Sequence, residues 1–419
     1  MGVPTRNSSE DRPTTLTGRL ARYQGAGGLV TPLVSTVIAF LLAGLVVVAT
    51  TGKNPLPVYR GILDGTGLTW LVHWFVDIRT VGGTQDVYPT EADAVAIAAN
   101  NLQQTLILTT TLILCGLAVA FAFRCGLFNI GGQGQYIVGM IAASQVGIAM
   151  PDSPHVLHIV LAAGAGALAG ALWAGIAGII RATVGAHEVI STIMLNWTAV
   201  WIASYLVGIQ GPLQDPGQES VPVTKEVAAG AKLNVFWGDP VLQGLHIGFF
   251  VAIAGLIVFW IVLNRTTLGF EVRAVGFNPE AARYGGISVG RSYFLAMAIS
   301  GAFAGLAGGI DVLGWLFRID LTSVQASSQI AFIGIAVALL GRNTAIGIFF
   351  GALLFGALLN GTSTRNLDPA VFQPELAGNL TLIIQGLVVL FVGADLLILY
   401  VWRARRKLRR RSADAVIET

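Results

Sequence analysis

Asn278-Pro-Glu-Ala-Ala-Arg-Tyr-Gly-Gly-Ile287 is a polar island in an oily chain. The segment that holds it, residues 265–291, carries Arg265, Arg273, Arg283 and Arg291 with Glu271 and Glu280, while the stretches to either side are apolar. Within the island Asn278 suits a helix N-cap, Pro279 the first helical position, and Glu280 the positive end of the helix dipole. Gly285-Gly286 suits the stop. A helix of about two turns is too short to hold its own shape in water. The pattern predicts a short helix on a loop between two membrane spans, either simply solvated there or held at its ends and docked on a partner.

Bulk composition sets the class. Of 419 residues, 54% are hydrophobic and 11% charged, with a mean hydropathy of +0.72; soluble globular chains carry roughly 25% charged residues. So much apolar surface predicts an all-α polytopic membrane protein. The formal net charge of +3 is too small to point to nucleic acid, and the basic residues sit in short loops and tails. Cys115 and Cys125 are ten residues apart on one predicted span, about 15 Å of helical rise. They cannot bridge each other and read as packing residues.

Residues 1–30 are polar, with Arg6, Arg12, Arg19 and Arg22 and no apolar run, and read as an uncleaved cytoplasmic tail. Apolar runs then predict about ten transmembrane helices, near 31–50, 101–123, 129–150, 156–180, 189–209, 246–263, 292–316, 327–340, 345–360 and 378–402. The 327–340 run is short for a full crossing and reads as tilted or partly re-entrant. Between the first two spans, residues 52–100 are largely polar. Their apolar patch Trp70-Leu-Val-His-Trp-Phe75 is too short to cross and suits the membrane interface. With both termini in the cytosol, only Lys53, Arg60, Arg79, Lys225, Lys232, Arg318 and Arg365 of the 25 Lys and Arg fall outside, as the positive-inside rule requires. The domain plan is a tail (1–30), a transmembrane domain (31–402) with its 265–291 loop, and a basic cytoplasmic tail (403–419) that reads as a stop-transfer and anionic-lipid anchor.

Small residues recur every fourth position as Gly166, Gly170, Ala174 and Gly178 on one span and as Gly301, Gly305 and Gly309 on another. Such ladders let helix backbones approach closely. Two polar groups interrupt the apolar runs. In Phe128-Asn-Ile-Gly-Gly-Gln-Gly-Gln-Tyr136 three glycines loosen a helix beside the amides of Asn129, Gln133 and Gln135. In His187-Glu-Val-Ile-Ser-Thr-Ile-Met-Leu-Asn-Trp197, Glu188, Ser191 and Thr192 stand near a helix start, with Asn196 one turn beyond. Broken helices at membrane depth face protein or a watery cavity, so these groups either line a pathway or join helices. The chain has no G-x-x-x-x-G-K-[ST] phosphate loop and no H-E-x-x-H. His155 and His158 share a helical face without a nearby carboxylate run, which does not suit a metal. Asp311 and Asp395 stand as isolated carboxylates near span ends, not as the relay that proton coupling needs.

Four stretches in combination resemble the permeases of bacterial ABC importers in the ribose, nucleoside and branched-chain amino acid group. They are Gly116-Leu-Ala-Val-Ala-Phe-Ala-Phe-Arg-Cys-Gly-Leu-Phe-Asn-Ile-Gly-Gly-Gln-Gly-Gln135, His187-Glu-Val-Ile-Ser-Thr-Ile-Met-Leu-Asn196, Ala274-Val-Gly-Phe-Asn-Pro-Glu-Ala-Ala-Arg-Tyr-Gly-Gly-Ile287 and Ile330-Ala-Phe-Ile-Gly-Ile-Ala-Val-Ala-Leu-Leu-Gly341. Lys53-Asn-Pro-Leu-Pro-Val-Tyr59 and the extended N-terminus resemble the longer of the two nucleoside permeases. Gln133 departs from the pattern, standing where nucleoside permeases commonly have a glutamate.

The resemblance implies a transport subunit rather than an enzyme, one that binds no cofactor of its own. Its partners would be an ATPase subunit that uses ATP-Mg, a second and related permease, and an extracytoplasmic substrate-binding lipoprotein. Asn278, Pro279, Glu280, Ala281, Ala282, Arg283, Tyr284 and Gly285 would form the coupling helix seated in the ATPase. Asn129, Gln133, Gln135 and Asn196 would line the substrate pathway in a bacterial cytoplasmic membrane. Nucleosides are the implied cargo, with ribose or another monosaccharide as the alternative; an ion-coupled secondary transporter is the reading from another class.

Overall fold

Long apolar helices build the molecule, and one of them is buried on every side. The computed structural model describes residues 54–82, 90–240 and 243–363, with scattered positions between 37 and 49 and between 382 and 390. In chain order the helices are α1 (Leu56–Thr66), α2 (Ile78–Gly82), α3 (Glu91–Arg124), α4 (Gly132–Ala149), α5 (His155–Thr183) and α6 (Glu188–Val207). A long segment with strands β1 (Val235–Trp237) and β2 (Leu245–His246) leads to α7 (Gly248–Arg265), α8 (Thr267–Phe277) and α9 (Pro279–Tyr284). Then follow α10 (Val289–Asp311), α11 (Leu321–Leu340) and α12 (Ala345–Gly361).

Helix α3 is the mast. From Leu112 to Ala122 every residue is buried, the pattern of a helix that is apolar all round. It packs against α7, α10, α11 and α12, while α10 packs against α4 and α5. Helices α5 and α6 turn Leu157, Leu168, Leu172, Trp197, Trp201 and Tyr205 outward. That is where a bilayer would solvate them.

The two glycine ladders face each other. A Cβ on Gly170 would stand 2.3 Å from the Gly301 carbonyl oxygen, one on Gly305 2.3 Å from that of Gly166, and one on Gly139 2.4 Å from Gly305 Cα. So α4, α5 and α10 meet backbone to backbone. Lipid tails are as apolar as leucine, so helices in a membrane associate through close packing, not by escaping water.

Two ends are distinct. The turns after α3 and α11 meet where Arg124 Nη2 donates to the Asn343 carbonyl (2.6 Å). Gly126 abuts Gly276 of α8, and the Phe128 amide donates to Glu188 at the start of α6 (3.4 Å). All of these lie at the α9 end. Across the opposite end runs the 208–247 segment, whose amides at Thr224, Val227, Ala228 and Leu233 donate to the carbonyls of Ile319, Phe317, Gly147 and Leu313 (2.8–2.9 Å). Lys232 Nζ donates to Glu226 (2.5 Å) there and holds that carboxyl below the usual carboxylate range.

Several expectations are revised. Among the described residues six helices are long and apolar enough to cross a membrane: α3, α5, α6, α7, α10 with its extension to Leu316, and α11. Helix α12 is a shorter apolar helix, and α4 stands outside the six; the predicted spans near 31–50 and 378–402 lie largely outside the described residues. Helix α11 starts six residues before the predicted run and spans 20 residues. Its start is a capping box in which Asp320 accepts from the Ser323 amide (2.6 Å), so polar Thr322, Ser323 and Gln325 join the helix. Helix α3 likewise begins at Glu91, where Thr90 caps it. The fold is not wholly α-helical: Val-Phe-Trp at β1 has strand-prone side chains and pairs antiparallel with β2. The polar stretch before α3 also carries α1, α2 and a 3-10 turn over Leu68–Val72. There Trp70 packs its ring against Trp237 (5.0 Å between centroids), so only part of the predicted interfacial patch is free.

Gly164 faces open space, which gives a matched pair of substitutions. Gly305→Ala should lower stability by about 1–3 kcal/mol through overpacking, while Gly164→Ala should leave it unchanged, as thermal unfolding of the purified protein in detergent would record.

Candidate functional site

The turn between α3 and α4 does not stay at the end of the bundle. Gly126, at φ +74°, turns the chain beside Gly276, and the backbone climbs inward until Asn129 reaches Ser300 in the middle of α10. Ser300 in turn donates to the Ala118 carbonyl (2.5 Å), six residues before the end of α3, or about 9 Å up the helix. A non-helical stretch at that depth has backbone groups that water cannot reach.

Side-chain amides meet that need. Asn129 is 0% exposed; its Oδ1 accepts from the Gly131 amide (2.8 Å) and from Gln135 Nε2 (2.9 Å). Its Nδ2 donates to Gln135 Oε1 (2.8 Å) and Ser300 Oγ (2.7 Å). From α6, Asn196 accepts from the Gly134 amide (2.8 Å) and donates to the Ile130 carbonyl (2.9 Å). Glu188, nearly buried, sits 3.5 Å from Arg181 while it accepts from Phe128. It faces the bundle rather than water.

Of the four predicted pathway amides, three are buried and bonded within this cluster. Gln133 differs: it is half-buried at the first turn of α4 and has no hydrogen-bond partner among the described residues. Its neighbour Gly132 faces Ala331 of α11, which places this turn beside α11.

The second candidate site is α9. Asn278 Oδ1 accepts from the amides of Glu280 (3.0 Å) and Ala281 (3.1 Å). At the other end Gly286, at φ +83°, donates to Arg283, and Ile287 donates to Ala282 (both 3.0 Å). This is a Schellman stop with glycine in the left-handed position. Both ends are therefore fixed by hydrogen bonds the sequence pattern anticipates, with Gly286 rather than Gly285 as the residue that has to be glycine. Phe277 and Tyr284 are 92% and 94% exposed. Arg283 and Glu280 are exposed too and stand 3.5 Å apart, a solvent-screened pair that contributes little stability. Ala282 is buried beneath the helix, so of the two alanines only Ala281 faces outward.

Two features escape the sequence. Ser300 has no motif, and its partners lie 171 and 182 residues away. Asp311 is buried rather than isolated: Thr111 Oγ1 (2.5 Å) and Tyr136 OH (2.6 Å) donate to its two oxygens and tie α3, α4 and α10 together. His155 and His158 engage the carbonyls of Gly230 and Val146, and no cluster of metal-ligating side chains occurs among the described residues.

Residues 101–393 match the family described as Branched-chain amino acid transport system / permease component. The chain belongs to that family. Similar to this permease component is the guanosine ABC transporter permease protein NupP of Bacillus subtilis (strain 168), 40% identical over 314 residues, 74% of this chain and 85% of the relative. The nucleoside ABC transporter permease protein NupB of Lactococcus lactis subsp. cremoris (strain MG1363) is 32% identical over 369 residues, 88% of this chain and 91% of the relative. The glucose ABC transporter permease protein TsgB13 of Haloferax volcanii is 35% identical over 298 residues, 70% of this chain and 75% of the relative. No solved structure matches the chain. Family and helices together make this permease component a multi-pass membrane protein.

Removing the Asn196 amide leaves the Gly134 N–H and the Ile130 carbonyl without partners inside the bundle. Asn196→Ala should therefore cost about 1–3 kcal/mol, which thermal unfolding of the purified protein would record.

Proposed function

We propose that this chain is the transmembrane permease subunit of an ATP-driven nucleoside importer. What carries the reading is that the Asn129 cluster and the capped α9 occur in a chain whose relatives, matched over most of their length, are named for guanosine and nucleoside transport. In this reading about ten spans cross a bacterial cytoplasmic membrane, with both termini and the α9 end in the cytosol. The grouping of Arg124, Arg181, Arg265, Arg273, Arg283, Arg291 and Arg342 toward that end supports the orientation.

The chain supplies no phosphate loop, so a partner ATPase spends ATP-Mg and pushes on α9. Asn278, Pro279 and the Gly285-Gly286 stop lock the helix, and Ala282 seats it on the bundle. Glu280, Ala281, Arg283 and Tyr284 face the partner's groove. A second, related permease completes the pathway, and a substrate-binding lipoprotein docks at the opposite end.

Of the proposed pathway amides Asn129, Gln133, Gln135 and Asn196, the half-buried Gln133 suits ribose hydroxyls and base edges, which a neutral amide meets without the desolvation cost of a charge. Gln133 is the one with hydrogen-bonding capacity to spare, and the other three hold the turn that presents it. The glucose name on one relative supports a monosaccharide as the second reading.

Arg283→Glu should reduce ATP-driven uptake of labelled guanosine to background while the protein stays inserted and folded; full uptake by that variant would count against α9 as the coupling element. Uptake should survive collapse of the proton gradient and stop without the partner ATPase, the reverse of an ion-coupled carrier. Gln133→Leu should raise the KM for guanosine about fivefold, the loss of one neutral hydrogen bond. Competition by free nucleobase but not by glucose would identify the nucleoside as cargo, and the opposite pattern would identify the sugar.

A further inference from the structure

At the α9 end, between α7, α8 and the α11–α12 turn, lies a cavity of about 420 Å³, within the roughly 300–1,000 Å³ of small-ligand sites. Arg124, Arg273, Trp260, Leu263, Asn343 and Ile346 line it, and among the described residues no carboxylate does. Among the described residues no carboxylate pairs with either guanidinium. Arg124 spends Nε and Nη2 on the Asn343 carbonyl, and Arg273 spends Nε on the Gly269 carbonyl (3.2 Å). The two like charges line one cavity.

A third positive element joins them. Helix α12 begins at Ala345, and its Thr344 cap satisfies only the Gly347 amide (3.2 Å). The amides of Ala345 and Ile346, both in the cavity lining, are first-turn donors outside the helix's own ladder. At the mouth Arg265 lies over the Trp260 ring (5.3 Å). The remaining wall is apolar, and Ile346 is 70% exposed at its edge.

Like charges gathered around a hole at the α9 end of the bundle call for an anion. We propose that this cavity binds the headgroup of an anionic phospholipid. The phosphate sits between Arg124, Arg273 and the α12 N-terminus, and an acyl chain leaves over Trp260 and Ile346. Basic pockets between transmembrane helices are suited to such headgroups. A soluble phosphate has the same charge but leaves the apolar wall without a contact, so the lipid fits better. Because Arg273 belongs to α8, the helix that leads into α9, an occupied cavity braces the segment that presents α9.

The test uses the full-length chain in its purified complex, reconstituted in phosphatidylcholine with and without phosphatidylglycerol. Native mass spectrometry should find phosphatidylglycerol retained through delipidation, and thermal unfolding should show it protecting the protein. Arg273→Gln should weaken retention about fivefold, the effect of one basic contact, and Arg273→Lys should restore most of it. Ile346→Asp, at the exposed mouth, should weaken retention without touching the guanidinium scaffold. Equal retention by wild type, Arg273→Gln and Ile346→Asp overturns the site. Protection by inorganic phosphate as strong as that by phosphatidylglycerol overturns the lipid assignment and leaves a soluble anion in its place.

Discussion

A peptide group inside a bilayer has to find its hydrogen bond within the protein, because no water is there to supply one; leaving it unmade costs several kcal/mol. The stretch between α3 and α4 meets this constraint most severely, since it is non-helical and buried at once. Asn129 bonds the turn to itself and to α10, Asn196 bonds it to α6, and Glu188 accepts from its Phe128 amide. Helices α6 and α10 are thus stitched to one another through a loop that has no regular structure of its own.

The glycine contact makes the stitching possible. If α4, α5 and α10 were spaced by large side chains, roughly 8–10 Å apart, the Asn129 amide would not reach Ser300. With Gly139, Gly166, Gly170, Gly301 and Gly305 at the crossing, backbone meets backbone and the polar reach falls within 3 Å. Asp311 repeats the device further along α10, where Thr111 and Tyr136 bond to one carboxylate from two other helices. Burial of a carboxylate without a cation is costly unless it is well bonded, so the two hydroxyls suit that position.

Much of this is legible in the amino-acid sequence. Apolar runs locate the six helices long enough to cross among the described residues, because lipid permits few alternatives for a run of that length. Cap chemistry locates α9 to the residue, since Asn-Pro at a start and Gly-Gly at a stop act locally. The ladders at Gly166–Gly170 and Gly301–Gly305 announce close contacts, though not that they face each other. What stays hidden is non-local. Ser300 is an unremarkable serine until Asn129 arrives from far along the chain, and Glu188 beside an arginine could as well have faced water. The early starts of α3 and α11 escape hydropathy because capping boxes and first-turn carboxylates extend a helix through residues that score as loop.

Force applied to α9 has a short route into the interior. Only Gly285, Gly286, Ile287 and Ser288 separate the helix from α10, and the Ile287 and Gly286 amides are bonded back onto α9 itself. Displacing α9 therefore moves the start of α10 rather than flexing a loose hinge. Farther along α10 lie Ser300, which holds Asn129, and then Gly301 and Gly305, which bear directly on α5. Contacts between backbones have no soft side chain to absorb a displacement, and packed cores shift between discrete arrangements rather than stretching. If α9 is the coupling element proposed above, α10 would be the lever that carries its displacement to the turn bearing Gln133.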